Sequence, residues 1–461
     1  MSTASIHPSE QDTELQRRKQ ETLQLLTAGN PAGIHKGFFL SGIAIILTFG
    51  AVWGAYLLLR IAMEGSFTSV GIHEVNAHGH AQIFGWVGLF VMGFAYLMFP
   101  RFKQTALSWP AGAKLSLVLM LIGIILRSAL EPFAQTAPWT VWGALFGNGL
   151  ELIAIGIFLH QMVGLMRRSV QEINGSDVLI LSALGWFAVQ AVYETVYFAA
   201  IAWAPTREAM LHLVATWQAP LRDAQIHGFS MLIIFGVSLR ILPAFFGWRT
   251  PPAGAGKWLA VVLSAAVLVQ IVSFILMREV GYRWGALWAV AAVVLLVGAL
   301  WQVKTLGVFG PAGLHNRSVK YVRTAYAWLL LSLVMLVSLP VWQFGILPRL
   351  APEGGAVEIG FSHAYYGSIR HAITVGFISL MIMGVGAFVA AETRWGKNLP
   401  KLPALWLPFI LVNIGCAMRV FFQLTTDIGA WAFPITGVSG ILEVTGIAIW
   451  GGHMAKVMLG R

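Results

Sequence analysis

Cysteine is almost absent from this chain: Cys416 is the only one in 461 residues. A single thiol excludes a disulfide framework, a CxxCH haem attachment and a cysteine-held copper or iron–sulfur centre, so any metal must rest mainly on histidine. Charge is scarce as well, 11% of residues against 57% hydrophobic. A water-soluble core needs no such excess, and lipid is the expected solvent. The net charge of +11 is not gathered in one tail or on one face, which argues against a nucleic-acid partner. A signal-peptide apolar region is also missing. Residues 1–36 are polar and read as a cytoplasmic N-terminal segment, with a short amphipathic helix as an option, ahead of a single membrane domain over 37–461.

What the chain does have is long apolar runs. They fall at roughly 38–63, 78–99, 112–131, 139–163, 177–203, 225–247, 257–277, 284–303, 323–345, 367–390, 402–424 and 430–457, each long enough to cross hydrocarbon as a helix. The predicted fold is therefore all-α, a polytopic membrane protein of about twelve transmembrane helices. Lys and Arg concentrate in alternate loops, for example Arg17, Arg18, Lys36, Arg101, Lys103, Lys114, Arg167, Arg168, Lys257, Lys304 and Lys456. The opposite loops hold few, among them Arg207, Arg222, Arg278, Arg283 and Arg349. The positive-inside rule then puts both termini in the cytoplasm, and the expected location is a bacterial cytoplasmic (inner) membrane, crossed many times.

The histidines follow the spans. Helix 2 opens with His78-Gly79-His80, helix 6 with His227-Gly228-Phe229 and helix 10 with Arg370-His371, all predicted at the outer side. Steps of 147 residues (80 to 227) and 144 (227 to 371) point to three pseudo-repeated four-helix units. Gly85 and Gly93 follow His80 at the offsets at which Gly376 and Gly384 follow His371, and Gly236 to Pro243 on helix 6 repeats Gly93 to Pro100. Small residues on such helices let a flat group or another backbone approach closely.

A histidine inside a membrane is costly unless its nitrogens are occupied. A haem iron takes one, and a carbonyl or carboxylate takes the other. Successive helical residues turn by about 100°, so His78 and His80 point about 200° apart and serve different partners. The expectation is two haem b groups near the outer leaflet, sharing helix 2, with His78, His80, His227 and His371 as the metal ligands; the bland alternative is helix-end histidines capped by loop groups or solvated. Arg370 is placed to pair with a haem propionate or simply to snorkel. Arg127, Arg240 and Arg419 lie deeper and call for a propionate or a membrane carboxylate. Of the membrane carboxylates Glu131, Glu151, Glu194 and Glu443, Glu151 and Glu194 join His160 as candidates for proton relay or a quinol headgroup. Arg127 and Glu131, at i,i+4, equally read as a structural ion pair. His7, His35, His73, His212, His315 and His453 read as surface or loop residues, and His363 as a loop residue before helix 10. His73 and His363 could add a ligand at the outer mouth.

The same segments carry a family resemblance. His78-Gly-His80-Ala-Gln-Ile-Phe-Gly85, followed by Gly93 and Phe99-Pro100-Arg101-Phe102, resembles a conserved block of the NnrS family. His227-Gly-Phe with Phe235-Gly-Val-Ser-Leu-Arg-Ile-Leu-Pro243, and Arg370-His371-Ala-Ile-Thr-Val-Gly376, resemble two more. The resemblance implies a twelve-helix membrane protein containing haem and copper, in nitric oxide metabolism and denitrification. More distantly the chain is similar to the catalytic subunit of haem-copper oxidases and nitric oxide reductases, which place metal-binding histidines on helices 2, 6, 7 and 10. Here helix 7 (257–277) has no histidine, helix 10 has one within its span, and no tyrosine follows His227 in the oxidase manner. A three-histidine copper beside a haem is therefore not expected, and copper is left to some other arrangement of His227, His78 or loop histidines.

Three functions follow in order. The first is a haem-containing membrane redox protein that binds or reduces nitric oxide or a similar small ligand, fed by quinol or an electron-donor protein; reduction would make it an oxidoreductase of the nitric oxide reductase kind. The second is a non-catalytic haem protein that senses nitric oxide or transfers electrons. The third is a secondary transporter, disfavoured because the chain repeats in fours rather than in two halves of six.

Overall fold

The computed structural model describes residues 33–312, 318–351, 355–395 and 405–460. Twelve helices among them are long and apolar enough to cross a membrane. They are α1 (Ile34–Glu64), α2 (Ile72–Lys103), α3 (Pro110–Phe133), α4 (Trp139–Arg168), α5 (Gly175–Ala202), α6 (Arg207–Phe246), α7 (Ala255–Glu279), α8 (Tyr282–Leu306), α9 (Val319–Leu350), α10 (His363–Ala391), α11 (Trp406–Asp427) and α12 (Ala432–Leu459). Each apolar run meets one helix, because a helix satisfies every backbone N–H and C=O within its own segment in a solvent that cannot. The expectations placed on residues 1–32, including Arg17, Arg18 and His7, and on His315 lie outside the described residues.

The boundaries correct one expectation: the histidines do not open their helices. His78 is the seventh residue of α2, His371 the ninth of α10 and His227 the twenty-first of α6. Hydropathy reads only the apolar part of a helix, whereas capping decides where it begins. The Thr206 hydroxyl accepts from Ala209 N at 3.1 Å and starts α6 eighteen residues ahead of the apolar run. The Ser362 hydroxyl accepts from Tyr365 N at 2.9 Å and starts α10. At about 1.5 Å per residue α6 is about 60 Å long, twice the hydrocarbon thickness, so its first turns project beyond the lipid.

Neighbours in sequence pack side by side around the bundle, α12 closes on α1, and α5 reaches past α6 to α7. Three helices stand apart from this ring. The apolar windows of α2, α6 and α10 are 83%, 67% and 78% buried, against 33–50% for the other nine; these three form the centre, and they are the three that carry the histidine motifs. Each also carries an eight-residue π-helical stretch at its histidine: Ala81–Gly88, Ala224–Met231 and Ala372–Ser379. Such widened turns are rare and gather at functional sites. The glycines that recur after the histidines serve this packing. A Cβ at Gly85 would fall 2.2 Å from Ile45, and one at Gly376 2.4 Å from Trp328, so these glycines seat α2 on α1 and α10 on α9, and it is the neighbouring helix rather than a flat ligand that they admit. At the basic end Lys103 donates to Asp177 at 2.5 Å and to the Glu172 carbonyl at 3.0 Å, tying α2 to α5.

Candidate functional site

His78 faces α1. Its Nδ1 donates to the Gly50 carbonyl at 3.0 Å, which is turned out of the helix because the π-helical stretch Ile46–Gly50 ends with Gly50 at φ −85°, ψ −110°. The ring lies flush on Gly54, where a Cβ would sit 2.2 Å from His78 Cε1. On α10 the His371 Nδ1 donates one turn back, to the Gly367 carbonyl, at 3.0 Å. A carbonyl can only accept, so in both rings the proton is on Nδ1 and the lone pair on Nε2. Neither Nε2 takes a hydrogen bond among the described residues. The two rings lie within electrostatic reach of each other and of Arg419. Arg419, on α11, is buried with Nε and Nη1 unpartnered. Three residues back on the same helix, the Cys416 thiol lies 3.7 Å from the His371 carbonyl, which fixes α11 beside this histidine.

His80 has the opposite environment. Its Nε2 meets Glu151 Oε1 of α4 at 2.9 Å and its Nδ1 meets Glu194 Oε1 of α5 at 3.1 Å; the three side chains are at most 3% exposed. The sequence-predicted pair Glu151 and Glu194 is thus brought together by a histidine, with no ring nitrogen left over for a metal in this arrangement. Glu194 Oε2 accepts from Gln225 Nε2 at 2.6 Å, and Gln225 Oε1 accepts from Arg222 at 2.7 Å. Arg222 also donates to Asn76 at 3.3 Å, which accepts from Gln218 at 2.8 Å. Amides and guanidinium have fixed polarity, so Glu194 Oε2 is held as an acceptor, and the proton of the His80 contact is shared between His80 Nδ1 and Glu194 Oε1. Arg222, expected in an outer loop, is therefore a buried member of this network, since α6 starts earlier than its hydropathy indicates.

His227 stands on the π-helical stretch of α6. Its Nδ1 donates to Gln270 Oε1 at 3.1 Å, with Asp223 Oδ1 at 3.7 Å. Helix 7, which lacks a histidine, supplies Gln270 instead, and a ring oriented through Nδ1 is the usual state of a metal-ligating imidazole. Arg370 turns toward α6: it donates to the Tyr366 hydroxyl at 2.7 Å, lies 4.3 Å over that ring, and reaches the Ala219 carbonyl at 3.5 Å.

The remaining sequence candidates separate. Arg127 and Glu131 form the i,i+4 ion pair, and the guanidinium sits 3.7 Å over Phe198. His73 joins them at 3.3 Å from Glu131 and is buried, as is His35. Both had been expected at the surface, and each is buried because the helix containing it extends further than the apolar run. Arg240 donates to the Phe102 carbonyl and, among the described residues, forms no ion pair with a carboxylate. His160, nine residues past Glu151, is on the exposed face of α4 and does not join the carboxylates. His212 is exposed beside Glu279. His363, also exposed, begins α10. Gln225, Gln270, Gly50 and Gly54 were missed; uncharged glutamines inside apolar runs, such as Gln270, were the one signal available.

Among the described residues no group of three or more His, Cys, Asp or Glu is placed to hold a metal ion. The donors fit haem, whose iron would take an imidazole nitrogen and whose propionates would take a cation. His78 and His371 offer two Nε2 lone pairs from different helices, and Arg419 offers unpartnered N–H groups beside them.

In fold the chain is similar to a solved structure described as a haem-copper terminal oxidase dimer, with a TM-score of 0.71 over 94% of this chain and 85% of that one, at 12% identity. No curated protein matches it in sequence. The profile of the family described as NnrS protein matches residues 34–461, which is the entire membrane region, and the chain belongs to that family.

Proposed function

We propose that this protein is a haem-containing membrane redox protein that binds or reduces nitric oxide, with His78 and His371 as the two axial ligands of a haem b. The observation that carries this is the pair of imidazoles on α2 and α10, both fixed through Nδ1 to backbone carbonyls and both keeping Nε2 free. Arg419 is the propionate partner in this reading, in place of Arg370, whose guanidinium faces α6. Bound there, a haem supplies a one-electron couple; nitric oxide needs a ferrous iron with an open axial position, and in this reading that is the second metal, held by His227, when it is haem. His227, oriented by Gln270, is the ligand for a second metal, haem or copper. His80, Glu151 and Glu194 hold protons on the side of α2 turned away from His78. The protein lies in a bacterial inner membrane with the basic end in the cytoplasm, and takes electrons from quinol or a donor protein.

An absorbance spectrum of the purified protein, expressed with haem supplied, tests the reading; absence of Soret and α bands rejects it. Difference spectra on adding nitric oxide to the reduced protein then test ligand chemistry. The second reading, a non-catalytic sensor or electron-transfer protein, draws support from the same pair, since two histidines close both axial positions of one iron. EPR of the oxidised protein separates the two, because only an open iron adds a high-spin signal to the low-spin one.

A further inference from the structure

Where α2, α6 and α10 run on toward the basic end, they line a partly open cavity of about 80 Å³ whose wall is almost entirely carbon. Each central helix presents residues one turn apart to it: Val91 and Phe94, Ile234 and Val237, Ile382 and Val385. These six are only half-buried although they lie on the most enclosed helices, because they face this cavity. Val91 and Ile382 both follow their motif histidine by eleven residues, on the order of 15 Å along a helix. Beyond the cavity, toward the basic end, Phe245 and Phe388 stack with ring centroids 3.9 Å apart. Toward the histidines, Trp86 and Phe377 are buried on the preceding turns of α2 and α10. The single hydroxyl at the wall, Ser238 Oγ, has no partner.

An apolar cavity of this size offers water too few polar partners and stays dry, yet it accepts xenon or a molecule of similar size. We propose that it is a binding site for a small uncharged apolar gas, held between the three central helices inward of the histidines. Nitric oxide belongs to this class, so the site would concentrate the ligand of the function proposed above. The gas site rests on that reading only for the identity of its occupant. An ion is excluded by the carbon wall; about 80 Å³ suits a molecule of a few heavy atoms, and an acyl or quinol tail reaching in through the open side is the competing occupant that the experiment distinguishes.

Crystals of the full-length holoprotein pressurised with xenon test it through anomalous scattering. The expected result is a xenon peak bounded by Val91, Ile234 and Val237, lost or reduced at least about tenfold in Val237→Trp, whose indole fills the space. Val237→Phe is the milder filling variant if the first does not fold. Xenon peaks elsewhere with none here would overturn the proposal, and so would an ordered acyl or detergent chain in the cavity. The haem spectrum is recorded on the same preparation: xenon bound without Soret absorbance leaves the gas site standing and rejects the redox reading, and the converse outcome does the reverse.

Discussion

His78 and His80 are two residues apart on one helix and have opposite surroundings. His78 meets only a backbone carbonyl and the bare face of Gly54, and keeps a nitrogen free; His80 is gripped on both nitrogens by carboxylates from two other helices. The difference follows from the turn of about 200° between them. One points to the side of α1 and α10, where small residues and carbonyls leave a lone pair available. The other points to α4 and α5, where it joins a buried acidic pair. A motif of the form HxH on a helix is thus two sites on opposite faces.

Five substitutions and one control test that contrast. The largest effect is expected for His371→Ala or His78→Ala: haem per mole of purified protein, read from the Soret band, falls at least about tenfold, since one axial ligand is removed outright. His80→Ala keeps the haem spectrum but leaves Glu151 and Glu194 buried without their partner, which costs about 3–5 kcal/mol, measured as a drop in the thermal midpoint in detergent. If His80→Ala loses haem as fully as His78→Ala, the two faces are not independent and the contrast fails. Gly54→Val pushes on the His78 ring without removing a ligand; a partial loss of the low-spin EPR signal is expected, and an unchanged spectrum would show that the ring is free to shift. Arg419→Gln removes a charge but no ligand, and weakens haem retention by about tenfold, the lower end of the about 1.5–3 kcal/mol that a charge-assisted hydrogen bond contributes. His160→Ala, exposed on α4, is the control and leaves both spectrum and stability unchanged.

Much of this was legible in the chain itself. Twelve spans could be counted because hydrocarbon demands long apolar runs, and four histidines stood out because such runs exclude polar residues without a purpose. The Arg127–Glu131 pair was readable because it is local, i to i+4. The resemblance in the segments around His78, His227 and His371 pointed to the NnrS family, to which the chain belongs.

What the sequence could not give is which nitrogen meets what. The separation of His78 from His80, the replacement of Arg370 by Arg419 beside the His78–His371 pair, and the bonding of Gln270 to His227 all depend on helices 43 to 341 residues apart in the chain. Hydropathy fixes that a segment lies in lipid, but rotation about the helix axis is set by packing against neighbours. The three π-helical stretches and the start of α6 were hidden for a related reason: caps and widened turns are decided by hydrogen bonds, to which apolar periodicity is blind. The amino-acid order set the solvent, the number of crossings and the residue types able to hold a metal; packing chose the partners, because His78, His80 and His227 bond residues of other helices and only His371 bonds within its own.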